Sequence, residues 1–477
     1  MKSDLRHRKL WMALSGLCSV TGLMLLLVLL VGAEPEPSLF HVPQRIVLSW
    51  TDDPARTQAV TWRTQRPVDS PKAQIAAVGA NPGLEKNAVL VPAVGGAIEV
   101  GASELAGHYE ARFENLQPGT AYAYRVGDGV TWSPWYHFHT AAAQAAPFRF
   151  LYFGDAQNNI ASLCSRVFQT AFRHAPDARF MLHAGDLVND GYDDHAWGEW
   201  CAALGFISAW IPCMAAAGNH DWHQAPGTVS SATGPTIHPL WRAHLALPLN
   251  GPDDIPNLEE TSYYFDYQGI RVVCVDSNLY ANDKLDADLR ERLSVRKMQW
   301  LRETLQSNPH PWVIVMHHHP IYSVGKDRDN ARLREALLPV YDEYAVDLVL
   351  QGHDHYYART HKLRGGEIVD ADAPGTVYAI SVSGPKMYTL NRKFENLMAV
   401  LRGETQMFQI IEVEPTRLIY KAYTVAGECV DAFELRRNAD GHPVLQNLIL
   451  EERQPPTPPR TVVGGNSRKK SRRRRPS

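Results

Sequence analysis

Between Arg45 and Thr140 apolar residues return at every second position, as Ile46, Leu48 and Trp50 in one run and Val60 and Trp62 in the next, with turn signals at Asp52-Asp53-Pro54 and Pro92. A period of two over short runs, without helical spacing, predicts strands and hence a small all-β sandwich domain over residues 40–142. Gln117-Pro118-Gly119-Thr120 reads as a turn, followed by a strand on which Tyr122, Tyr124 and Val126 share one face. Ala141 to Ala146 is a linker of small residues. Beyond it apolar runs alternate with helical patterns, which predicts a layered α/β domain over residues 147–452. Strands are expected at Phe148 to Phe153, Arg179 to His183, Pro212 to Ala216, Ile270 to Val275, Trp312 to Met316 and Asp347 to Leu350. Helices are expected at Ile160 to His174 and at Ser294 to Gln306, the second with Met298, Leu301 and Leu305 on one side and Ser294 as its N-cap. Gly375 to Ala432 reads again as several strands.

The two ends differ from this body. Residues 1–34 open with Lys2, Arg6, Arg8 and Lys9, continue as an apolar run from Leu10 to Val31 and close on Val31-Gly32-Ala33, the pattern of an export signal. The run spans about 20 residues, enough to cross a bilayer, so an uncleaved anchor with its positive end inside competes with cleavage. Either way the body is exported, whether secreted, periplasmic or anchored facing outward. Residues 453–477 carry Pro455, Pro456, Pro458, Pro459, Gly464 and Gly465, then Arg468, Lys469, Lys470 and Arg472 to Arg475. This predicts a disordered basic tail, read either as a solubilising segment or as an attachment to an anionic membrane surface. A net charge of -3 with 45% hydrophobic residues argues against disorder of the body and against a specific nucleic-acid partner. With Cys18 in the signal, Cys164, Cys201, Cys213, Cys274 and Cys429 have no paired spacing, so no disulfide framework follows. One or two bridges and small buried thiols both stay open. No repeat is present, and nothing indicates an oligomeric state.

Chemistry concentrates in five segments, each after an expected strand: Gly154-Asp155-Ala156-Gln157, Gly185-Asp186-Leu187-Val188-Asn189, Gly218-Asn219-His220-Asp221, Val315-Met316-His317-His318 and Gly352-His353-Asp354-His355. Loops leaving the strands of an α/β sheet converge, so ligand sites belong there. Glycine beside each candidate ligand lets the backbone turn sharply and leaves room for an ion. Carboxylate, carboxamide oxygen and imidazole together suit iron, manganese or zinc rather than a soft thiolate-seeking metal. Asp155, Asp186, Asn219, His318, His353 and His355 exceed what one tetrahedral ion uses, and a shared aspartate can hold two ions roughly 3.5–4 Å apart. Any one of these short motifs alone would more often be a structural turn; it is their ordered series that points to a dinuclear metal site.

The series resembles the calcineurin-like metallophosphoesterase superfamily, and with the preceding β domain it resembles the purple acid phosphatases over nearly the whole exported chain. His319-Pro320-Ile321-Tyr322 and Ser383-Gly384-Pro385-Lys386-Met387-Tyr388 add to the likeness, and the Tyr122 strand is similar to the tyrosine-corner strand of fibronectin type III domains. The resemblance implies a four-layer α/β/β/α catalytic domain. It also implies a first metal on Asp155 and His355, a bridging Asp186, and a second metal on Asn219, His318 and His353. Two departures stand out: Asn189 replaces the family's tyrosine, and Gln157 stands where many relatives have a histidine. The charge-transfer colour should then be absent and the first metal the more exchangeable, with water, Gln157 or Asn189 filling its shell. Neighbours on a strand alternate sides, so His317, His318 and His319 cannot all face one site. The family register selects His318, leaving His317 packed or solvated and placing His319 at the substrate rim with Tyr322.

Two adjacent cations lower the pKa of a bound water and neutralise phosphoryl oxygens, so the resemblance implies hydrolysis of a small phosphate monoester by a metal-bound hydroxide. His220 is expected to protonate the leaving oxygen or to bind the phosphate, because imidazole exchanges protons near neutral pH, with Asp221 or Asn189 orienting it. Asp221 as a cap after the turn is the competing reading. Phosphodiesterase activity on nucleotides or lipid head groups uses the same core. A surface-binding protein with a vestigial metal site is the alternative from another class. The loops between Trp222 and Glu260 and between Ser277 and Ser294 that would decide among substrates carry no legible code.

Overall fold

The computed structural model describes residues 38–101, 104–223, 236–252, 258–281 and 286–450; the expected export segment and basic tail lie outside them. Two four-stranded antiparallel sheets come first. One is ordered Gln44–Ser49, Gln58–Thr64, Glu104–Phe113, Val94–Gly101, and the other Val89–Pro92, Lys72–Ala77, Ala121–Gly127, Tyr136–His139. Ile46, Leu48, Val60, Trp62 and Tyr124 form the core between them. Trp50 departs from the expected alternation. The strand ends at Ser49, and Trp50 turns with Val47 into the next domain, where it meets Phe180, Phe265 and Tyr267 at ring separations of 5.4–5.5 Å. The Tyr122 hydroxyl accepts a bond from the Gln117 amide at 2.9 Å, pinning the turn to its strand. Tyr124 donates to the Ala209 carbonyl at 2.8 Å, and Arg45 grips the Asp194 carboxylate at 2.6 and 3.0 Å, so polar bonds as well as apolar contacts hold the junction.

The second domain stacks two seven-stranded mixed sheets. The first runs Cys213–Ala215, Met181–His183, Phe148–Phe153, Met407–Glu414, Arg417–Thr424, Cys429–Arg437, Pro443–Leu450. The second runs Tyr263–Tyr267, Ile270–Cys274, Trp312–Met316, Leu348–Gln351, Val377–Ile380, Tyr357–Thr360, Met398–Arg402. Alternation explains why these strands read as continuous apolar runs. Val272, Cys274, Ile314 and Met316 point into the core between the sheets, whereas Val273, Val275, Val313 and Val315 pack with Leu301, Leu305, Leu333 and Leu337 of the helices Ala287–Gln306 and Ala331–Glu343. A strand dry on both faces needs apolar residues at every position. Helices Ser165–His174 and Asp194–Leu204 cover the first sheet, through Val167, Phe168, Trp197 and Trp200, completing four α/β/β/α layers.

Two helix starts differ from expectation. Ile160–Cys164 is a wide π-type turn that leads into the α-helix at Ser165. Ser294 lies inside a helix that begins at Ala287, because the Asp286 carboxylate caps it by accepting from Leu289 N at 3.0 Å. The five described cysteines are all free thiols, four of them buried. Among the described residues no helix is long and apolar enough to cross a membrane.

Candidate metal centre

The parallel strands Phe148–Phe153, Met181–His183 and Cys213–Ala215 of one sheet and Trp312–Met316 and Leu348–Gln351 of the other end at the same edge. All five motifs leave from those ends. Four of the candidate ligands hold left-handed backbone: Asp155 at φ 53°, Asp186 at φ 50°, His353 at φ 72° and His355 at φ 55°. Such conformations cost non-glycine residues of order 1–3 kcal/mol each, and they cluster where function needs a side chain aimed. The loops also crowd one another. A Cβ on Gly218 would collide with the Asp186 carboxylate, and one on Gly352 would stand 2.5 Å from Asp155 Oδ2, so glycine is required where one ligand packs on the next loop.

The six candidate ligands converge. His318 Nε2 lies 3.1 Å from Asn219 Oδ1, 3.1 Å from His353 Nδ1 and 3.3 Å from Asp186 Oδ2, and His355 Nε2 lies 3.6 Å from Asp155 Oδ1. Ligand atoms of Asp155, Asp186 and His318 all fall within 4.8 Å of one another. The donor set is one-sided. His318 Nδ1 donates to the Ala184 carbonyl at 2.7 Å and His355 Nδ1 to the Lys386 carbonyl at 2.9 Å, which directs each Nε2 inward. Carboxylate, amide and imidazole acceptors thus face each other with few protons between them, and Asp155 Oδ1 is buried with no hydrogen-bond partner. That arrangement fits cations.

Charge distribution agrees. Burial pushes Asp155 up to about 8 despite the pull of His318, and the neighbouring Asp186 adds to the rise. Burial opposes charge on His318, yet Asp186 and Asp155 hold it at about 9. Asp186, although buried, is kept well below the usual carboxylate range by His318 and His220. Burial lowers His353 and His355, so both imidazoles are neutral, the form that ligates a metal. Without metal the cluster therefore keeps a proton on Asp155 and an ion pair between Asp186 and His318.

The remaining candidates fall in different places. His220 is half-buried beside the cluster: its amide donates to Asp186 Oδ1 at 2.9 Å, its Nδ1 donates to the Asn189 carbonyl at 2.6 Å, and its Nε2 stands 4.0 Å from Asp186 Oδ2. Asp221 does not orient it. The Asp221 carboxylate accepts from the amides of Asp186 at 2.9 Å and Gly218 at 2.8 Å, so it ties two ligand loops together. Asn189 contributes its carbonyl only, its side chain bonding Asn158 at 2.9 Å on the surface. Gln157 does not offer its oxygen to the cluster, since its NH2 donates to Asp186 Oδ2 while its Oε1 accepts from Lys386 Nζ at 3.2 Å. His319 is not at a rim but buried, bonded to Ser277 Oγ at 2.9 Å with its ring 4.3 Å from that of His353. Tyr322 lies in the core beneath the outer helices, against Tyr378 and Phe394, away from the ligands. His317 is buried, bonded to the His319 carbonyl at 2.7 Å and stacked on Tyr341.

Three residues at the mouth carry no motif of their own. Arg328 donates to the His353 carbonyl and pairs with Asp354 at 3.3 Å, and both Arg328 and Lys386 stand over the Tyr388 ring, at 4.6 and 5.2 Å. Asp354 also accepts from Ser323, Val324 and Gly325, which fixes the loop that delivers Arg328. The segment Ser383 to Tyr388 is legible as a family likeness, but no spacing rule marks Lys386.

Comparison with known proteins places this geometry. The calcineurin-like phosphoesterase family matches residues 148–357, and the family described as the purple acid phosphatase N-terminal domain matches residues 43–140. An uncharacterised protein of Mycobacterium tuberculosis is 30% identical over 290 residues, 55% of this chain and 53% of that protein, so the chain spans about half the length of this relative. Human acid phosphatase type 7 is 26% identical over 350 residues, 69% of this chain and 72% of the relative. Among solved structures, purple acid phosphatase PPD1 from yellow lupin seeds has a TM-score of 0.68 at 19% identity, covering 84% of this chain and 75% of that one, a likeness of fold. The chain thus carries a calcineurin-like phosphoesterase domain over residues 148–357, preceded over residues 43–140 by a domain of the purple acid phosphatase N-terminal family.

Proposed function

We propose that this chain is a dinuclear-metal phosphomonoesterase of acid phosphatase type. The observation that carries the reading is the convergence of acceptor atoms around His318 Nε2 and Asp186 Oδ2, beside an unsatisfied Asp155 Oδ1, at a sheet edge open to solvent on the Asn219 and His220 side. Asp155 and His355 would hold one ion, Asn219, His318 and His353 the other, and Asp186 both, drawn from iron, manganese and zinc. Such ions supply a nucleophilic water near neutral pH and offset phosphoryl charge. His220 serves the leaving group. A carbonyl can only accept, so the Nδ1 proton is committed to Asn189 and Nε2 is the atom that delivers or takes a proton at the cluster. Asp221 acts indirectly, by holding the Asp186 and Gly218 amides in register.

The wider reading is an exported enzyme. Residues 1–34 serve as signal or anchor, 40–142 as a fibronectin type III-like domain, 147–452 as the catalytic domain and 453–477 as a basic tail able to meet an anionic surface. The name of the human relative supports phosphatase activity. The test is reconstitution of metal-stripped full chain with each of the three metals, followed by assay of p-nitrophenyl phosphate and bis(p-nitrophenyl) phosphate. Metal-dependent turnover that favours the monoester supports the proposal. A diester preference would make the chain a phosphodiesterase, and a two-metal protein that cleaves neither would leave a binding module.

A further inference from the structure

Lys386 lies half-buried at the lip of the metal cluster, and its surroundings explain little of its charge. Its carbonyl orients His355, and its ammonium makes one hydrogen bond, to Gln157 Oε1 at 3.2 Å. Among the described residues no carboxylate pairs with it, whereas Arg328 on the same Tyr388 ring is held by Asp354 at 3.3 Å and by the His353 carbonyl. Two cations on one phenol ring repel each other, and the arrangement is favourable when an anion sits between or before them. Gln157 is held at both ends: its NH2 is fixed on Asp186 Oδ2, so its oxygen faces away from that carboxylate and holds the ammonium of Lys386 one side chain away from Asp186. Two of the three N–H bonds of Lys386 are left for a ligand.

We propose that Lys386 is a specificity-determining residue for the proposed phosphatase reaction: its ammonium, aimed by Gln157 and backed by Arg328, binds a non-bridging oxygen of the phosphoryl group and selects dianionic phosphomonoesters over monoanionic diesters. This rests on the phosphomonoesterase reading. The departure of Gln157 from histidine thereby acquires a purpose, because a histidine there would direct a nitrogen to the first metal and leave the lysine unaimed. A dianion gains more than a monoanion from each fixed cation, and a diester substituent would replace the oxygen that Lys386 binds.

The experiment uses metal-replete full chain and the variants Lys386→Met, Lys386→Gln and Lys386→Arg, with three readouts: metal content, affinity for inorganic phosphate by titration calorimetry, and kcat and KM on p-nitrophenyl phosphate and bis(p-nitrophenyl) phosphate. Loss of a charged hydrogen bond predicts that Lys386→Met and Lys386→Gln bind phosphate roughly ten- to a hundredfold more weakly and raise monoester KM by a similar factor. Metal content should stay unchanged, diester kcat/KM should fall by a clearly smaller factor than monoester kcat/KM, and Lys386→Arg should recover most of the phosphate affinity. Unchanged phosphate affinity, equal losses on both esters, or lower metal content would overturn the proposal, the last by making Lys386 a support for His355. If the unsubstituted protein cleaves neither ester, the phosphatase reading fails on its own, and the phosphate titration still decides whether Lys386 binds the anion.

Discussion

His108 should make the domain junction sensitive to acid. It lies on the strand Glu104–Phe113, is 3% exposed, has both ring nitrogens without hydrogen-bond partners, and faces the ring of His244 at 5.3 Å. Burial, then the nearby Arg63 charge, lowers it from 6.5 to about 4. Between those values the unfolded chain carries a proton that the folded one refuses, so stability is full above pH 6.5, declines as pH falls and has lost its whole increment below about pH 4. At about 1.36 kcal/mol per pKa unit the increment is about 3 kcal/mol, a large share of an ordinary domain's stability. Replacing His108 with Phe removes the titration while keeping a flat ring. Urea unfolding followed by tryptophan fluorescence, with metal in excess at each pH from 7 to 4, should show the variant gaining on the parent by about 3 kcal/mol over that range. A stability difference that is the same at every pH would refute the reasoning.

Other residues give equally direct tests. His220→Ala should lower kcat by roughly 10²–10⁴ with both metals retained, whereas Asp186→Asn should lose metal; elemental analysis beside kinetics separates the two, and retained metal in Asp186→Asn would contradict its bridging role. Arg359 and Asp431 form a fully buried pair at 2.7 and 2.9 Å between the two large sheets, so Asp431→Ala should cost about 3–5 kcal/mol in denaturant unfolding, and a loss within error of zero would show the pair to be dispensable. Metal uptake must displace protons from Asp155 and His318, held at about 8 and about 9, so affinity should fall as pH falls. Calorimetry at pH 7 in buffers of different ionisation enthalpy should register about two protons released per dinuclear site, and none would contradict the metal-free charge state described above.

The ligand residues could be read from the chain because each lies just beyond an apolar strand, and Asp155, Asp186, Asn219 and His353 each follow a glycine that a close approach demands. Strands dry on both faces were visible for the same reason, as at Phe148–Phe153 and Trp312–Met316, whose bounds agree with the expectation. Failures cluster where the strand stops. Alternation predicts that His317, His318 and His319 cannot share one site, yet the strand ends at Met316 and the chain turns towards Pro320, so His319 folds back against His353. Family likeness puts Tyr322 near the substrate, whereas its direction depends on packing under helices that the local sequence does not encode. Asp221 and Gln157 were legible as polar residues near ligands, but their partners are backbone amides and a lysine remote in sequence. Arg328 and Lys386 were invisible as a pair because tertiary structure alone brings two irregular loops to one tyrosine ring.

The most direct measurement is anomalous X-ray scattering at the iron, manganese and zinc edges from crystals of the purified protein, alongside its elemental analysis. The account predicts two ions about 3.5–4 Å apart, both touching Asp186, one shared with Asp155 and His355 and the other with Asn219, His318 and His353. A folded protein with no transition metal, or with a single ion remote from Asp186, would contradict it.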